Sequence, residues 1–173
     1  MTRRDDLIGL RLPTQSFEST SGGLLDLGAN EGAHRVVFVY PRTGDPAESD
    51  SPAWAAIPGA KGCTAEACSF RDLRDEFAGM GWDLVGCSTQ TTDYQLEAAS
   101  RLHLPYPLVS DTGLVLRDAL GLATFEFEGS VLYRRVTLLI VSGVVVDVLV
   151  ADDDPSHHVE DVLRAVQQMG GAA

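Results

Sequence analysis

Two cysteines five residues apart, Cys63 and Cys68, are the side chains of this sequence best suited to nucleophilic chemistry. Cys63 follows a stretch rich in proline and glycine and precedes a segment with helical periodicity. The thiolate is the nucleophilic form of cysteine, and a thiol of ordinary pKa is only about 3% ionised at neutral pH. Free N–H groups and the positive end of the helix dipole stabilise an anion at a helix start. The position of Cys63 therefore predicts a reactive thiolate.

A helix start alone does not account for such a thiolate. Lowering a thiol pKa to about 6 requires roughly 3.4 kcal/mol of differential stabilisation. The helix dipole supplies about 1 to 2 kcal/mol. We therefore expect an arginine from elsewhere in the fold to face Cys63.

Cys68 lies too far along the same predicted helix to bond to Cys63 directly. Five helical residues separate two Cα atoms by roughly 8.6 Å, whereas a disulfide needs less than about 7 Å. If the two cysteines do form a disulfide, the first turns of the helix have to unwind. The pair would then switch between a folded thiol form and a loosened disulfide form.

Other interpretations of the cysteines are less favoured by their spacing. A C-x4-C pair with no second pair nearby is a poor zinc site. Two unreactive structural cysteines would be the ordinary expectation for an arbitrary pair, but a thiol at a helix start argues against it. Cys87 ends an apolar run and is interpreted as a small buried hydrophobic residue.

An acidic run near the C-terminus offers another possible metal site. Asp152–Asp154 precede four further potential ligands, which are His157, His158, Glu160 and Asp161. Acidic residues ahead of a helix more often form a solvated cap that suits the helix dipole. We favour the cap and predict no metal and no cofactor.

The elements that position the cysteines follow from periodicity and from turn residues. A weak strand or hairpin is predicted within residues 14–34, and strands over 35–40, 82–87, 108–110, 135–141 and 144–150, the last two joined by a hairpin at Ser142-Gly143. Helices are predicted from Thr64 to the glycines at 79 and 81, over 93–103, over 114–120, and from a capping Ser156 onward. One helix face carries Phe70, Leu73, Phe77 and Met80. Strands separated by helices predict a thioredoxin-like α/β sandwich with a mixed central sheet flanked by helices.

Length and composition set the outer limits. The chain has 173 residues and a net charge of −12, which predicts one domain and argues against nucleic acid and anionic membrane surfaces as partners. No apolar run reaches the roughly 18 residues of a membrane span, and no secretory signal is evident, so a cytoplasmic protein is predicted. Residues 1–11 are interpreted as a lead-in and residues 42–62 as a long surface loop, pinned by Trp54 and Ile57.

Gly62 to Asp72 reads GCTAEACSFRD, which is the most specific motif of the sequence. This motif resembles the peroxiredoxins, and most closely their Q-type, or bacterioferritin-comigratory, class. The other matching segments are Tyr40-Pro41, Gly86 to Thr89, Pro105 to Asp111 and Arg135 to Ile140. The resemblance covers roughly residues 12–168.

The resemblance implies thiol peroxidase chemistry. Cys63 would attack a hydroperoxide and become a sulfenic acid, and Cys68 would condense with it to a disulfide that a thioredoxin-like reductant reopens. Arg135 matches the family's catalytic arginine, and its neighbour Arg134 is the competing candidate, since adjacent strand residues point to opposite faces. A monomer or a homodimer is expected.

The sequence departs from the family at the loop before the cysteine. The family places a threonine or serine hydroxyl three residues before the peroxidatic cysteine, where this sequence has Ala60 and an insertion. Thr43 is the nearest hydroxyl after Tyr40-Pro41 and is the predicted replacement, with Thr64 as the fallback. Two alternatives stay open: a redox sensor or interaction module without efficient turnover, and a reductase for a bulky organic hydroperoxide.

Overall fold

The computed structural model describes residues 3–29, 31–45, 49–150 and 155–170. Its strands, numbered in chain order, are β1 Ser16–Ser19, β2 Leu24–Asp26, β3 His34–Val39, β4 Trp82–Ser88, β5 Leu108–Ser110, β6 Thr124–Phe127, β7 Ser130–Tyr133, β8 Val136–Val141 and β9 Val144–Leu149. Its helices are α1 Arg4–Leu7, α2 Pro52–Ala55, α3 Cys63–Asp72, α4 Arg74–Gly79, α5 Thr92–Arg101, α6 Val115–Leu120 and α7 Pro155–Gly170.

A mixed sheet forms the centre of the described part of the chain. Seven strands lie in the order β2-β1-β5-β4-β3-β8-β9. β3 pairs in parallel with β4, and β4 with β5, while β8 runs antiparallel to both β3 and β9. The predicted mixed sheet is confirmed. Crossover helices are needed between the parallel strands, and this is why β3, β4 and β5 alternate with helices along the chain.

Both faces of the central strand are buried. Along β3, Val36 and Phe38 face a cluster that includes residues of α3, α4 and α7, while Val37 and Val39 face a second cluster that includes residues of α1 and α6. Successive strand residues point to opposite sides of a sheet, so a continuous apolar run is the pattern of a strand covered on both sides. This packing places the end of β3 beneath the start of α3.

The single helix predicted after Thr64 is divided in two. Leu73 leaves the helical region, with φ −100° and ψ 6°, and α4 begins at the next residue. Phe70 and Phe77 stay in the same cluster with their ring centroids 5.9 Å apart, but Met80 is 37% exposed. The periodicity was right for the buried aromatic residues and wrong for the last position, because α4 ends at Gly79 and Met80 lies beyond it.

Other boundaries also differ from the predictions. The hairpin of β6 and β7 and the short helix α2 were not predicted. The last helix begins at Pro155, so Ser156 lies within its first turn rather than at its cap. The predicted turn at Ser142-Gly143 is confirmed, and both residues have positive φ, as a two-residue hairpin requires. Within the lead-in, α1 buries Leu7, and Arg11 forms a bridge with Val144.

The described residues of the inserted loop include a short helix that packs against the body of the fold. Ser51 caps α2 through a hydrogen bond from the Trp54 N–H, and the Trp54 side chain is buried. Ile57 packs against the same cluster, so the prediction that these two side chains pin the loop is confirmed. None of the helices in the described ranges is long and apolar enough to cross a membrane.

Candidate active site

Cys63 is the first residue of α3, so it lies at a helix start as expected, and the helix begins one residue before the predicted Thr64. Its neighbour Gly62 has a φ of 93°, and a Cβ atom there would lie 2.6 Å from the side chain of Pro155. Glycine is required at this position, since L side chains rarely adopt that backbone conformation and the space is filled. The turn leaves the Cys63 sulfur at the junction of the inserted segment and α3, where its side chain is 4% exposed.

Arg135 supplies the expected guanidinium. It lies immediately before β8, is itself buried, and donates from Nη2 to Cys63 Sγ at 3.2 Å. The same group donates to the carbonyl oxygens of Gly59 at 3.1 Å and Lys61 at 2.9 Å. Arg134 points elsewhere, with its guanidinium 5.2 Å from the ring centroid of Phe125. Of the two adjacent arginines, which lie between β7 and β8, Arg135 is therefore the one beside the cysteine.

Glu66 completes the cluster and was not singled out from the sequence. It is fully buried one turn after Cys63 and forms an ion pair with Arg135, with 2.9 Å between Oε1 and Nη1. Burial raises the pKa of the Glu66 carboxyl to about 7, and Arg135 only partly offsets this. The available signal was the spacing of Cys63 and Glu66, which puts both side chains on the same face of the helix.

The expected lowering of the Cys63 pKa is wrong for this buried arrangement. Burial raises the pKa of the thiol because it removes water from the charged form, and the neighbouring Glu66 adds to the increase. Arg135 and a hydrogen bond from the Arg42 backbone N–H act in the opposite direction. The site therefore contains one guanidinium, that of Arg135, and two buried acids, the Cys63 thiol and the Glu66 carboxyl. Ionisation of either acid disfavours ionisation of the other.

Thr43 is buried beside the site, but its hydroxyl is directed to Gln90. The Thr43 Oγ1 lies 3.4 Å from Gln90 Oε1, which also accepts from the Thr43 N–H at 3.1 Å. It is the backbone of the preceding residue, Arg42, that helps to lower the pKa of Cys63. Thr64, the fallback, is half-buried in the first turn of α3. A role for Thr43 in binding peroxide stays a prediction.

Cys68 is a half-buried free thiol within the same intact helix as Cys63. The carbonyl oxygen of the residue before it, Ala67, accepts a hydrogen bond of 2.6 Å from the Tyr106 hydroxyl. A bond between Cys63 and Cys68 would require this part of α3 to unwind. Cys87 is fully buried in β4, in agreement with its interpretation as a packing residue.

The candidate metal cluster near the C-terminus is only partly covered by the structure. Asp152–Asp154 lie outside the described residues. His158 is buried, and its Nε2 lies 2.7 Å from Thr137 Oγ1. Burial and the charge of Arg135 lower the pKa of His158 to about 4, so it is neutral at physiological pH. In the described ranges, no group of three or more potential ligands could hold a metal ion.

Comparisons with known proteins identify relatives of this chain and agree with its fold. A protein-family model described as Redoxin matches residues 8–166. The chloroplastic peroxiredoxin Q of Populus jackii is 27% identical over 157 residues, which cover 91% of this chain and 66% of the relative. The corresponding protein of Sedum lineare is also 27% identical, over 91% of this chain and 76% of its own length.

Solved structures share the fold over nearly the whole chain. The peroxidoxin BcpB of Mycobacterium tuberculosis has a TM-score of 0.74 at 25% identity, covering 94% of this chain and 97% of that one. A peroxiredoxin Q structure from Xanthomonas campestris has a TM-score of 0.74 at 24% identity, with 95% and 99% covered. The predicted thioredoxin-like α/β sandwich is thereby confirmed.

Proposed function

This chain belongs to the Redoxin family, and from that premise we propose that it is a thiol peroxidase in which Cys63 reduces a hydroperoxide. The observation that carries the proposal is the 3.2 Å contact between the Arg135 guanidinium and the Cys63 sulfur at the start of α3. A cysteine and an arginine that lie 72 positions apart in the sequence are brought together in a buried pocket. Such pairing of a nucleophile with a fixed cation suits a reaction in which negative charge develops.

In the proposed first step, the Cys63 thiolate attacks the terminal oxygen of the hydroperoxide. The S–O bond forms as the O–O bond breaks, so the sulfur loses two electrons and becomes a sulfenic acid. The leaving oxygen takes a proton and departs as water or as an alcohol. The Arg135 donors, which already face the sulfur, stabilise the charge that moves along the O–O bond.

In the proposed second step, Cys68 attacks the sulfenic acid of Cys63 and water leaves. The first turns of α3 unwind to bring the two sulfurs together, because the intact helix keeps them apart. A thioredoxin-like dithiol then reduces the disulfide by thiol exchange and returns both cysteines to the free thiols seen here. The reductant, the cytoplasmic location and a monomeric or homodimeric state remain predictions.

A second candidate function is a redox sensor or interaction module with slow turnover. The observation in its favour is the environment of Cys63, which is buried and has a raised pKa. The Thr43 hydroxyl is also engaged with Gln90. A third candidate, reduction of a bulky organic hydroperoxide, rests on the inserted segment, which leads directly into Cys63 at the start of α3.

The test is consumption of hydrogen peroxide and of cumene hydroperoxide with a thioredoxin system. We expect turnover by the wild type and none by Cys63→Ser, and turnover by that variant at the wild-type rate would refute the proposal. One equivalent of peroxide should remove about 2 Da from the protein, mapped to a Cys63–Cys68 linked peptide. Oxidation without turnover, with a partner that prefers one redox state, would favour the sensor.

A further inference from the structure

The segment inserted before Cys63 is seated on the β6–β7 hairpin through one tryptophan. Trp54 of α2 is 3% exposed and clusters with Ala60 and Leu132. Its ring lies edge-on to that of Phe127, with the centroids 5.0 Å apart, and 6.1 Å from that of Phe125. Aromatic pairs in this geometry stabilise the fold by more than the burial of their apolar area alone would. The side chain thus joins two elements that are distant in sequence.

Arg42 closes the same contact and links it to the sulfur. Its guanidinium lies 4.2 Å from the ring centroid of Trp54 and 5.0 Å from that of Phe127. It also forms an ion pair with Glu128 at 3.6 Å. The backbone of this residue also acts on Cys63, where it lowers the pKa of the thiol. The seat of Trp54 and the environment of the sulfur therefore share a residue.

The chain that follows Trp54 leads directly to the Arg135 guanidinium. The Ile57 N–H donates to the Trp54 carbonyl at 3.1 Å, and the Ala60 N–H to the Ile57 carbonyl at 3.2 Å. These turns present the carbonyl oxygens on either side of Ala60, those of Gly59 and Lys61, to Arg135. The Ala60 carbonyl itself accepts a hydrogen bond from the Cys63 thiol, at 3.7 Å. The orientation of the guanidinium is therefore set by backbone atoms of the inserted segment.

We propose that Trp54 is a positioning residue for the reaction at Cys63. By seating residues 51–62 on the hairpin, it fixes the carbonyl oxygens that hold Arg135 against the sulfur. The effect of Trp54 on catalysis rests on the proposed peroxidase function. The effect of Trp54 on the position of Arg135 does not. An arginine held by two carbonyls presents its remaining N–H donors in a fixed direction. Reduction of a peroxide needs donors that are fixed in this way, because they stabilise the charge on the leaving oxygen in the transition state. Alkylation of the thiol by an unrelated electrophile does not need them.

The chain offers a matched control for this residue. Trp82, its second tryptophan, is similarly buried but begins β4 and packs edge-on to His34, at the opposite end of the strands from the cysteine. Trp54→Ala and Trp82→Ala remove the same side chain at the two sites. Trp54→Phe keeps an aromatic ring in the seat. Phe127→Ala opens the seat from the hairpin side while removing only a half-buried side chain.

The first experiment compares two single-turnover rates of Cys63 in each folded variant, one with hydrogen peroxide and one with iodoacetamide. For Trp54→Ala, we expect the ratio of peroxide rate to alkylation rate to fall by on the order of tenfold or more. Phe127→Ala should lower the same ratio, and it replaces Trp54→Ala as the test variant if Trp54→Ala does not fold. Trp54→Phe should recover most of the ratio, and Trp82→Ala should keep it. A wild-type ratio in Trp54→Ala or Phe127→Ala, or an equal loss in Trp82→Ala, overturns the proposal.

The second experiment does not depend on activity. The buried Arg135 guanidinium should give resolved, slowly exchanging ¹H–¹⁵N side-chain signals in the wild type and in Trp82→Ala. These signals should broaden or disappear in Trp54→Ala and in Phe127→Ala, and their persistence there overturns the link. If the wild type shows no peroxidase turnover but the signals are lost in these variants, the proposed function fails while the positioning role of Trp54 stands.

Discussion

Arg135 and Glu66 form an ion pair that is almost completely removed from solvent, with 2.9 Å between Nη1 and Oε1. The same guanidinium donates to the Cys63 sulfur through Nη2. One cation therefore serves two acids, a carboxyl and a thiol, in a setting where each charge is poorly hydrated. Because Arg135 is shared in this way, the charge on Glu66 affects the ionisation of the Cys63 thiol.

Removing the Arg135 guanidinium should slow the reaction of Cys63 with peroxide far more than removing the guanidinium of Arg134. For Arg135→Met, we expect the second-order rate with hydrogen peroxide to fall by roughly 10² to 10³, because a fixed donor at the developing charge is lost. Arg134→Met should stay near the wild-type rate, since Arg134 stacks on Phe125 instead. Stopped-flow measurement of both variants checks this, and equal losses would contradict the assignment.

Neutralising Glu66 should make the Cys63 thiol more acidic. The negative charge of Glu66 raises the pKa of Cys63, so Glu66→Gln removes a repulsion and leaves Arg135 to the thiolate alone. We expect the midpoint of the iodoacetamide rate against pH to move downward in Glu66→Gln. Glu76→Gln, which changes an exposed carboxyl of α4, is the control and should not move it. An upward shift in Glu66→Gln would show that its role in holding Arg135 outweighs the repulsion.

His158 should make the fold sensitive to acid. Its pKa is lowered to about 4 in the folded protein, from an ordinary value of 6.5. The unfolded chain therefore binds the proton first, and stability is lost as the pH falls through the interval from 6.5 to about 4. The full effect is about 3 kcal/mol. In denaturant titrations, His158→Gln should lose less stability across this interval than the wild type, and a parallel pH dependence would contradict the prediction.

The hydrogen bond from Tyr106 to Ala67 should restrain the unwinding of α3. Tyr106→Phe removes a buried donor from a carbonyl at the centre of the helix, at a cost of roughly 1 kcal/mol. We expect slightly lower stability and faster formation of the Cys63–Cys68 disulfide after oxidation. Rapid quenching followed by mass spectrometry measures that rate. Slower disulfide formation would mean that α3 does not open in this region.

The hydroxyl of Thr43 is tested by replacement with an isosteric apolar side chain. If this hydroxyl turns from Gln90 to the peroxide, Thr43→Val should lower kcat/KM by roughly tenfold or more, because a donor used in the transition state is lost. Thr64→Val is the matched control, since Thr64 is the other hydroxyl near the sulfur. A loss confined to Thr64→Val would transfer the role to that residue.

Predictions from local patterns held best where a turn or a strand is defined by its own residues. The start of α3 at Cys63, the hairpin at Ser142-Gly143 and the buried strand β3 follow from short-range patterns. The division between α3 and α4 was missed because the helical period continues across Leu73, and only the backbone at that residue departs from it. The β6–β7 hairpin was missed because its turn, Glu128-Gly129, places a glutamate at positive φ where a recognisable hairpin turn has Asn, Asp or Gly.

The amino-acid sequence by itself indicated thiol chemistry. A cysteine at a helix start, a second cysteine five residues later and the family motif that contains both can be recognised from local spacing alone. Tertiary structure alone decided which groups surround the sulfur. Arg135 comes from 72 positions away, and the carbonyls that hold it come from an insertion seated by Trp54. Burial, a property of the whole fold, decided that Glu66 and Cys63 compete for one cation and that the thiol pKa is raised. Charge in a buried site depends on every group packed around it, and no local pattern contains that information.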